Sequence, residues 1–466
     1  MDQLHINDLP TELLCQVFDQ LDQAQQSIVM RACVRWYEIL SSDWYIRRRR
    51  LCLCADNMCQ DGDSLVEMSR YRAFAVNSLA TNRSKDVFLE PLRDFLFGEN
   101  VVGHLEELQL TQFQHSLTQL FGSAANLHLP SLRKISFQCL QETDEEDATS
   151  FRLEAPNLRI MELEVSGSTV SPLVRLFSGQ IENLSVTFEH IAQFSVTVGP
   201  IKFANLNSLT LIARSDDVFP VPNVSLIHAK LFGRLKYLKL VDVENMFHPF
   251  YKAILREAKN LETLIIHGQN MGKGAFEEIG NLQKLVELQL MVYIEKLDTA
   301  KKLSLPNLKL LTTFVGSLIP LDSVPKLRTL SIKNHTPFRM RFFLSDAENL
   351  HSFFRVFSQQ LEVLRLDKTS TLFNSFAKAV CTMKRLKVLE MVDVETEQKD
   401  IELIVGSLKQ LQKAHFVRCN ALKKYANVTS KNFYGKLRRQ NVDCQIGYKL
   451  GASPVADEFE DFCYPG

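Results

Sequence analysis

From residue 105 onward the chain repeats one phrase of hydrophobic positions: apolar, two residues, apolar, one residue, apolar. It reads Leu105-Leu108-Leu110, Leu132-Ile135-Phe137, Leu158-Met161-Leu163, Ile181-Leu184-Val186 and Leu206-Leu209-Leu211. It continues as Leu235-Leu238-Leu240, Leu261-Leu264-Ile266, Leu285-Leu288-Leu290 and a weak copy, Leu308-Leu311-Thr313. Leu327-Leu330-Ile332, Leu361-Leu364-Leu366, Leu386-Leu389-Met391 and Leu411-Ala414-Phe416 complete thirteen copies. Their starts fall about 25 residues apart, a period typical of stacked supersecondary units. Positions 4 and 6 of the phrase share the two-residue period of a strand, so they point into one core. Positions 3, 5 and 7 then point to the open face. Helical returns are legible behind the strands: Pro249 opens one with Phe250, Ile254, Ala258 and Leu261 on one side, and residues 373–383 and 401–408 behave alike. A single repeat cannot bury its own apolar side, so the core must be continuous through stacked neighbours.

The N-terminus follows a different rhythm. In residues 9–36, LPTELLCQVFDQLDQAQQSIVMRACVRW, Pro10 suits the first position of a helix, where its missing N–H is not needed. Leu13, Leu14, Val17, Phe18 and Leu21 fall on one helical face. Asp22 and Gln23 break the run, and Ile28, Val29, Ala32, Cys33 and Trp36 form a second apolar set. Three short helices in about 35 residues carry more apolar surface than they can bury on one another, which points to a partner. Residues 43–98 are helical in pattern, with Leu65, Met68, Tyr71, Ala75 and Leu79 at helical spacing. They read as a linker that caps the repeats.

Charge narrows the choice of partners. Lysine plus arginine equals aspartate plus glutamate at 54 each among 466 residues, so no net field recruits nucleic acid or an anionic membrane. No apolar run approaches the ~18 residues of a membrane span. The opening MDQLHINDLP has neither the basic nor the apolar region of a secretory signal. Ten dispersed cysteines fit a reducing compartment, cytoplasmic or nuclear. The acidic stretch from Glu142 to Asp147 reads as a solvated insertion. The end of the chain reads as a last strand near Cys444 to Tyr448 followed by an acidic tail.

Enzyme chemistry finds no foothold. Gly268, Gly272, Lys273 and Gly274 approximate a phosphate loop, but the spacing is one residue short and Gly follows the lysine. The strand–loop–helix setting is expected to be absent too. No paired histidines have metal-ligand spacing, and no nucleophile elbow occurs. Cys52, Cys54 and Cys59 lack partner ligands and read as buried thiols of a connecting helix; Arg47 to Arg50 read as a basic turn. Cys463 begins Cys-Tyr-Pro-Gly, which lacks the aliphatic residues of a prenylation box. No cofactor and no metal are expected.

The N-terminal order of Leu-Pro, Glu-Leu-Leu, Val-Phe, Leu-Asp and Cys-Val-Arg-Trp resembles the F-box. Ala32 stands where the family usually has a larger aliphatic, which loosens one core contact. The thirteen phrases resemble a leucine-rich-repeat horseshoe, although position 9, usually Asn or Cys, holds Phe113, Ser166, Glu189, Arg214 and Val243, with only Cys419 fitting. Uneven spacing predicts irregular curvature and a bulge near residues 333–350. The resemblance implies an α/β fold: a small three-helix F-box followed by a leucine-rich-repeat solenoid, with parallel strands on the concave face and helical returns. The organisation expected is F-box at 6–41, helical linker and cap at 42–100, repeats at 101–440, and last strand with acidic tail at 441–466.

It also implies a Skp-family adaptor as partner and, through it, cullin and RING subunits, with Leu9, Pro10, Leu13, Leu14, Val17, Phe18, Ile28, Cys33 and Trp36 at or supporting the adaptor face. The repeats would bind a protein substrate of unknown identity, with no catalysis by this chain. The expected substrate face is Tyr237, Lys239, Val241, Ile265, His267, Gln289, Met291, Lys333 and Arg365. Exposed Tyr237, Ile265, Met291 and Val363 among mixed charges suit a protein ligand, while nucleic acid would require a continuous basic stripe. Loops or the tail are the other possible contact. A scaffold that binds partners without promoting their ubiquitylation is the alternative function.

Overall fold

A computed structural model describes residues 6–54 except 22 and 48, 68–77, 86–111, 120–121, 127–140, 153–165, 171–188, 198, 200–214, 231–242, 248–294, 302–314, 321–333, 353–367 except 355, 373–394, 398–417, 419 and 443–447. The chain divides into two compact units, Met1–Glu189 with Pro200–Leu206, and His190–Gly199 with Asn207–Gly466.

The first unit opens with four short helices: α1 (Thr11–Phe18), α2 (Gln23–Val29), α3 (Val34–Ser41) and α4 (Asp43–Ile46). Six parallel strands follow in sequential register: Arg50–Cys54, Ala73–Asn77, Glu107–Thr111, Lys134–Leu140, Ile160–Val165 and Asn183–Phe188. The first two correct the expected helical linker over residues 50–54 and 73–77, while Asp86–Leu96 and Glu99–Val102 are helices. Leu51 and Leu53, then Phe74 and Val76, alternate inward and are buried, which is strand behaviour. Cys52 accordingly lies exposed on a strand, not buried in a helix. Residues 55–67, with Cys59, lie outside the described residues.

The second unit holds ten parallel strands, again in sequential order. They are Ser208–Ala213, Tyr237–Asp242, Thr263–Met271, Glu287–Ile294, Leu310–Phe314, Thr329–Lys333, Val363–Asp367, Val388–Val392, Lys413–Val417 and Asp443–Gly447. The apolar positions of the recurring phrase line the core in both units, and even the weak copy buries Thr313 completely. Leucines at such positions contribute about 1.5–3 kcal/mol each relative to exposure. Stacking is reinforced at most strand entries, where two successive N–H groups share one carbonyl of the preceding repeat. Glu262 and Thr263 donate to Lys236 O at 2.8 and 2.9 Å, and Val286 and Glu287 to Glu262 O at 2.7 and 3.0 Å.

Returns are helical at His248–Glu257, Phe373–Cys381 and Gln398–Ser407. Ser171–Phe177 and Lys273–Ile279 are helical as well, whereas other returns are extended: Leu127–His128 pairs with Leu153–Glu154, and Leu303–Ser304 with Leu321–Ser323. Each of these four ends before a proline, at Pro130, Pro156, Pro306 and Pro325, and a residue preceding proline is driven out of the helical region. The missing position-9 asparagine has a substitute. Asn157, Asn205, Asn260 and Asn307, each just before the first apolar residue of a phrase, donate to Pro130, Gly179, Gly233 and Gln283 carbonyls of the preceding repeat at 2.7–2.8 Å. Contrary to expectation, a strand and a helix do flank Gly272. That single residue joins Thr263–Met271 to Lys273–Ile279, with Gly268 inside the strand, so no loop is left to cradle a phosphate. The acidic insertion, the bulge beyond Lys333 and the C-terminal tail with Cys463 lie outside the described residues.

Candidate functional site

The helical N-terminus is built around Leu14, Cys15, Phe18, Ile39, Leu40 and Tyr45, with Leu9, Leu21, Val29, Met30 and Trp36 packed partly against them. Phe18 and Trp36 meet edge to face, ring centroids 5.6 Å apart. Leu14 and Phe18 therefore hold the fold and offer no outer surface, which corrects their placement on the adaptor face. A helix of two turns separates its sides by about 100° per residue. Leu14, Cys15 and Phe18 take the inner side, while Leu13 and Val17, one turn apart, remain 44% and 41% exposed. Ala32 is exposed, so its small size costs the core nothing. Tyr45 extends this core past residue 41, the expected end of the module. Burial first, then Asp19, raises its phenol above the ordinary range.

Pro10 precedes the helix as its cap, with φ −53° and ψ 149°, one residue earlier than expected. Its carbonyl accepts the N–H groups of Leu13 and Leu14, both at 3.1 Å. Gln26 is buried and reaches back to the end of α1, donating to Phe18 O at 2.7 Å and Leu21 O at 2.9 Å. Arg35 donates to the carbonyls of Asn7 and Leu9. Cys33 caps α3 and is half-buried, with its Sγ 4.0 Å from Asn7 Oδ1. Neither Gln26 nor Arg35 is legible in the sequence as a site residue, because their partners are backbone carbonyls with no sequence signature. Beyond this module, Ser42 Oγ caps α4, and Arg70 grips Asp43 Oδ1 at 2.6 Å and Ser41 O at 2.9 Å. The hydrogen bond and charge of Arg70 hold the Asp43 carboxyl below its ordinary range.

The large apolar side chains left exposed gather here: Ile6, Leu13, Val17, Ile28, Val34, Tyr37 and Trp44. Elsewhere among the described residues only Leu176, Val356 and Leu403 are comparably exposed. Contiguous exposed apolar surface on a folded module is the kind of surface that interaction sites use.

The open face of the second unit places the other expected residues. Strand register sets Lys239 opposite Ile265 and Ile265 opposite Gln289, with Val241, His267 and Met291 forming the next row. Tyr237, Lys239, Val241, His267, Gln289, Met291, Lys333 and Arg365 are half-buried. Ile265 is buried, 8% exposed, because it lies on the middle strand between side chains of both neighbours. Exposure of Tyr237, Ile265, Met291 and Val363 is thus corrected to one buried and three half-buried groups. Burial, then the charges of Lys239 and Lys333, pushes His267 down to about 4, against a partly opposing hydrogen bond that its ring donates to Gln289. Burial also lowers the Lys333 amine despite Asp367 opposite it. Arg365 stands apart from the central cluster, its Nε 2.7 Å from Glu390 Oε2. Among the described residues no group of three or more His, Cys, Asp or Glu could hold a metal ion, and no helix is long and apolar enough to cross a membrane.

Together these features define a helical N-terminal module followed by an α/β array of parallel strands that carry a leucine-rich-repeat-like phrase. Residues 6–53 match the F-box-like family, a span that includes α4 and all but the last residue of the first strand. The crystal structure of a TLR13–ssRNA13 complex is 16% identical over 87% of this chain, with a TM-score of 0.44. This chain spans 62% of that one. An internalin, InlF, from Listeria monocytogenes is 14% identical over 88% of this chain and 98% of its own, with a TM-score of 0.36. No curated protein matches the chain.

Proposed function

We propose that this chain is the substrate-recognition subunit of an SCF-type ubiquitin ligase. The observation that carries the reading is the concentration of exposed apolar side chains on the module that matches the F-box-like family. Leu9, through its exposed part, Pro10, Leu13, Val17 and Ile28 meet a Skp-family adaptor, which brings cullin and RING subunits, while Cys33 and Trp36 support that surface from within. The repeats hold a protein substrate on the open face around Tyr237, Lys239, Val241, His267, Gln289 and Met291, with Lys333 and Arg365 at its edge. This chain does no bond chemistry of its own. It accelerates ubiquitin transfer by position, since tethering substrate to the ligase replaces a bimolecular encounter with a local concentration on the order of millimolar.

Affinity purification from proteasome-inhibited cells tests both faces at once. Leu13→Asp with Val17→Asp is expected to lose adaptor and cullin while keeping the proteins held by the repeats. Tyr237→Ala with Lys239→Glu is expected to do the reverse. Retention of adaptor by the first variant contradicts the docking assignment, and retention of every other partner by the second moves the substrate site elsewhere. Partners whose ubiquitylation is the same with and without adaptor binding would make the chain a scaffold instead.

A further inference from the structure

The chain from Ile6 to Pro10 is not part of α1, yet it sets the first two residues of the docking stripe, Leu9 and Pro10. It begins as a single 3-10 turn, Ile6–Asp8, closed by a 3.3 Å hydrogen bond from Leu9 N to Ile6 O. One turn of this kind is weak support for an interface residue. The stronger tie comes from α3. Arg35 Nη1 donates to Asn7 O and Nη2 donates to Leu9 O at 2.9 Å, so one planar guanidinium holds two carbonyls on either side of Asp8. A rigid fork that spans two acceptors fixes the direction of the backbone between them as well as its distance. Pro10 then has its φ locked by its ring and its carbonyl engaged by α1. The guanidinium and the helix thus grip the Leu-Pro step from both ends.

We infer that Arg35 is a positioning residue for adaptor docking, one that clamps the Asn7 and Leu9 carbonyls so that Leu9 and Pro10 are presented in line with Leu13 and Val17. The inference rests on the adaptor reading above. Arg35 is half-buried with these two donors turned to its own chain, and it acts through the stripe instead of touching the partner. Pre-ordering a contact segment removes an entropic cost from association, so loss of the clamp weakens binding while leaving the helical core folded. Leu9 also packs partly on that core, and this packing is the competing source of order.

The test uses the full-length chain and a recombinant Skp-family adaptor, with binding titrations and native-state amide exchange. Arg35→Gln is expected to weaken adaptor binding about tenfold. Arg35→Lys should fall between it and the wild type, because one ammonium cannot reproduce the planar fork. In the free chain, Arg35→Gln should speed exchange at Asn7 to Leu9 and leave α1 and α3 protected. Combined with Leu9→Ala and Pro10→Ala, it should add no further loss of affinity, because the residues it positions are gone. Binding by Arg35→Gln within twofold of wild type would overturn the clamp and assign the order to Leu9 packing. A full additive loss in the combined variant, or faster exchange throughout α1 to α3, would overturn it in favour of direct contact or general stability. Absence of binding by the wild-type chain would overturn the adaptor reading, and the clamp's role with it.

Discussion

Leu13 and Leu14 are chemically identical neighbours with opposite loads. Leu14 is wholly buried against Phe18 and Tyr45, whereas Leu13 keeps 44% of its surface and is available to another protein. Helical geometry alone separates them, which is why a run of apolar residues cannot be assigned to an interface without its inner and outer sides. His267 shows the same principle on the repeats. Its ring is held neutral by burial and by Lys239 and Lys333, with a folded-state value of about 4 against 6.5 for the free side chain. A lowered value means that the unfolded chain takes up this proton first as pH falls, so the stabilisation is complete above 6.5 and is lost between 6.5 and about 4. The shift corresponds to a contribution on the order of 3 kcal/mol. His267→Gln, which cannot be protonated there, is expected to flatten that part of the pH dependence. Thermal unfolding of both proteins from pH 7 to 4 checks it: the wild-type midpoint should fall more steeply, and parallel curves would contradict the assignment.

At the scale of the element, the side-chain amides that link successive returns do what position 9 does in regular repeats. Asn260 is the fullest example, donating to Gly233 O at 2.7 Å and accepting from Lys284 Nζ at 2.8 Å. Asn260→Ala leaves the Gly233 carbonyl without this donor and is expected to cost about 1 kcal/mol. Lys284→Ala, which removes only an exposed donor, should cost less. Chemical unfolding of the two variants against wild type decides the order; equal losses would mean that the amide carries no inter-repeat load. The strands from Leu105 to Phe416 were legible because two buried positions at period two, set three residues after a buried leucine, form a pattern that few other elements share. Tyr71-Phe74-Val76 carries the same phrase, but it overlaps Leu65, Met68, Tyr71 and Ala75 at helical spacing, and short windows cannot separate the two periods. The first strand was hidden because Leu51 and Leu53 sit between arginines and cysteines. Extended returns could have been found from the prolines that end them. On the helical module, pattern placed Leu13 and Val17 on one face with Leu14 and Phe18 and did not separate the exposed pair from the buried one, and Arg35 and Gln26 were not legible, since their contacts to main-chain carbonyls depend on how the helices close.

For the whole molecule, the proposed function assigns two partner-facing surfaces to a chain of balanced charge. The helical module carries its own core and outward apolar groups, and the strands carry a core of their own, so substitutions on one are expected to leave binding by the other intact. That independence makes one measurement decisive: calorimetric titration of the purified full-length chain with a recombinant Skp-family adaptor, wild type beside Leu13→Asp with Val17→Asp. The account predicts a one-to-one complex of about micromolar affinity or tighter, lost in that double variant and unchanged by Tyr237→Ala with Lys239→Glu. No binding by the wild type, or equal binding by the Leu13 and Val17 variant, would contradict it.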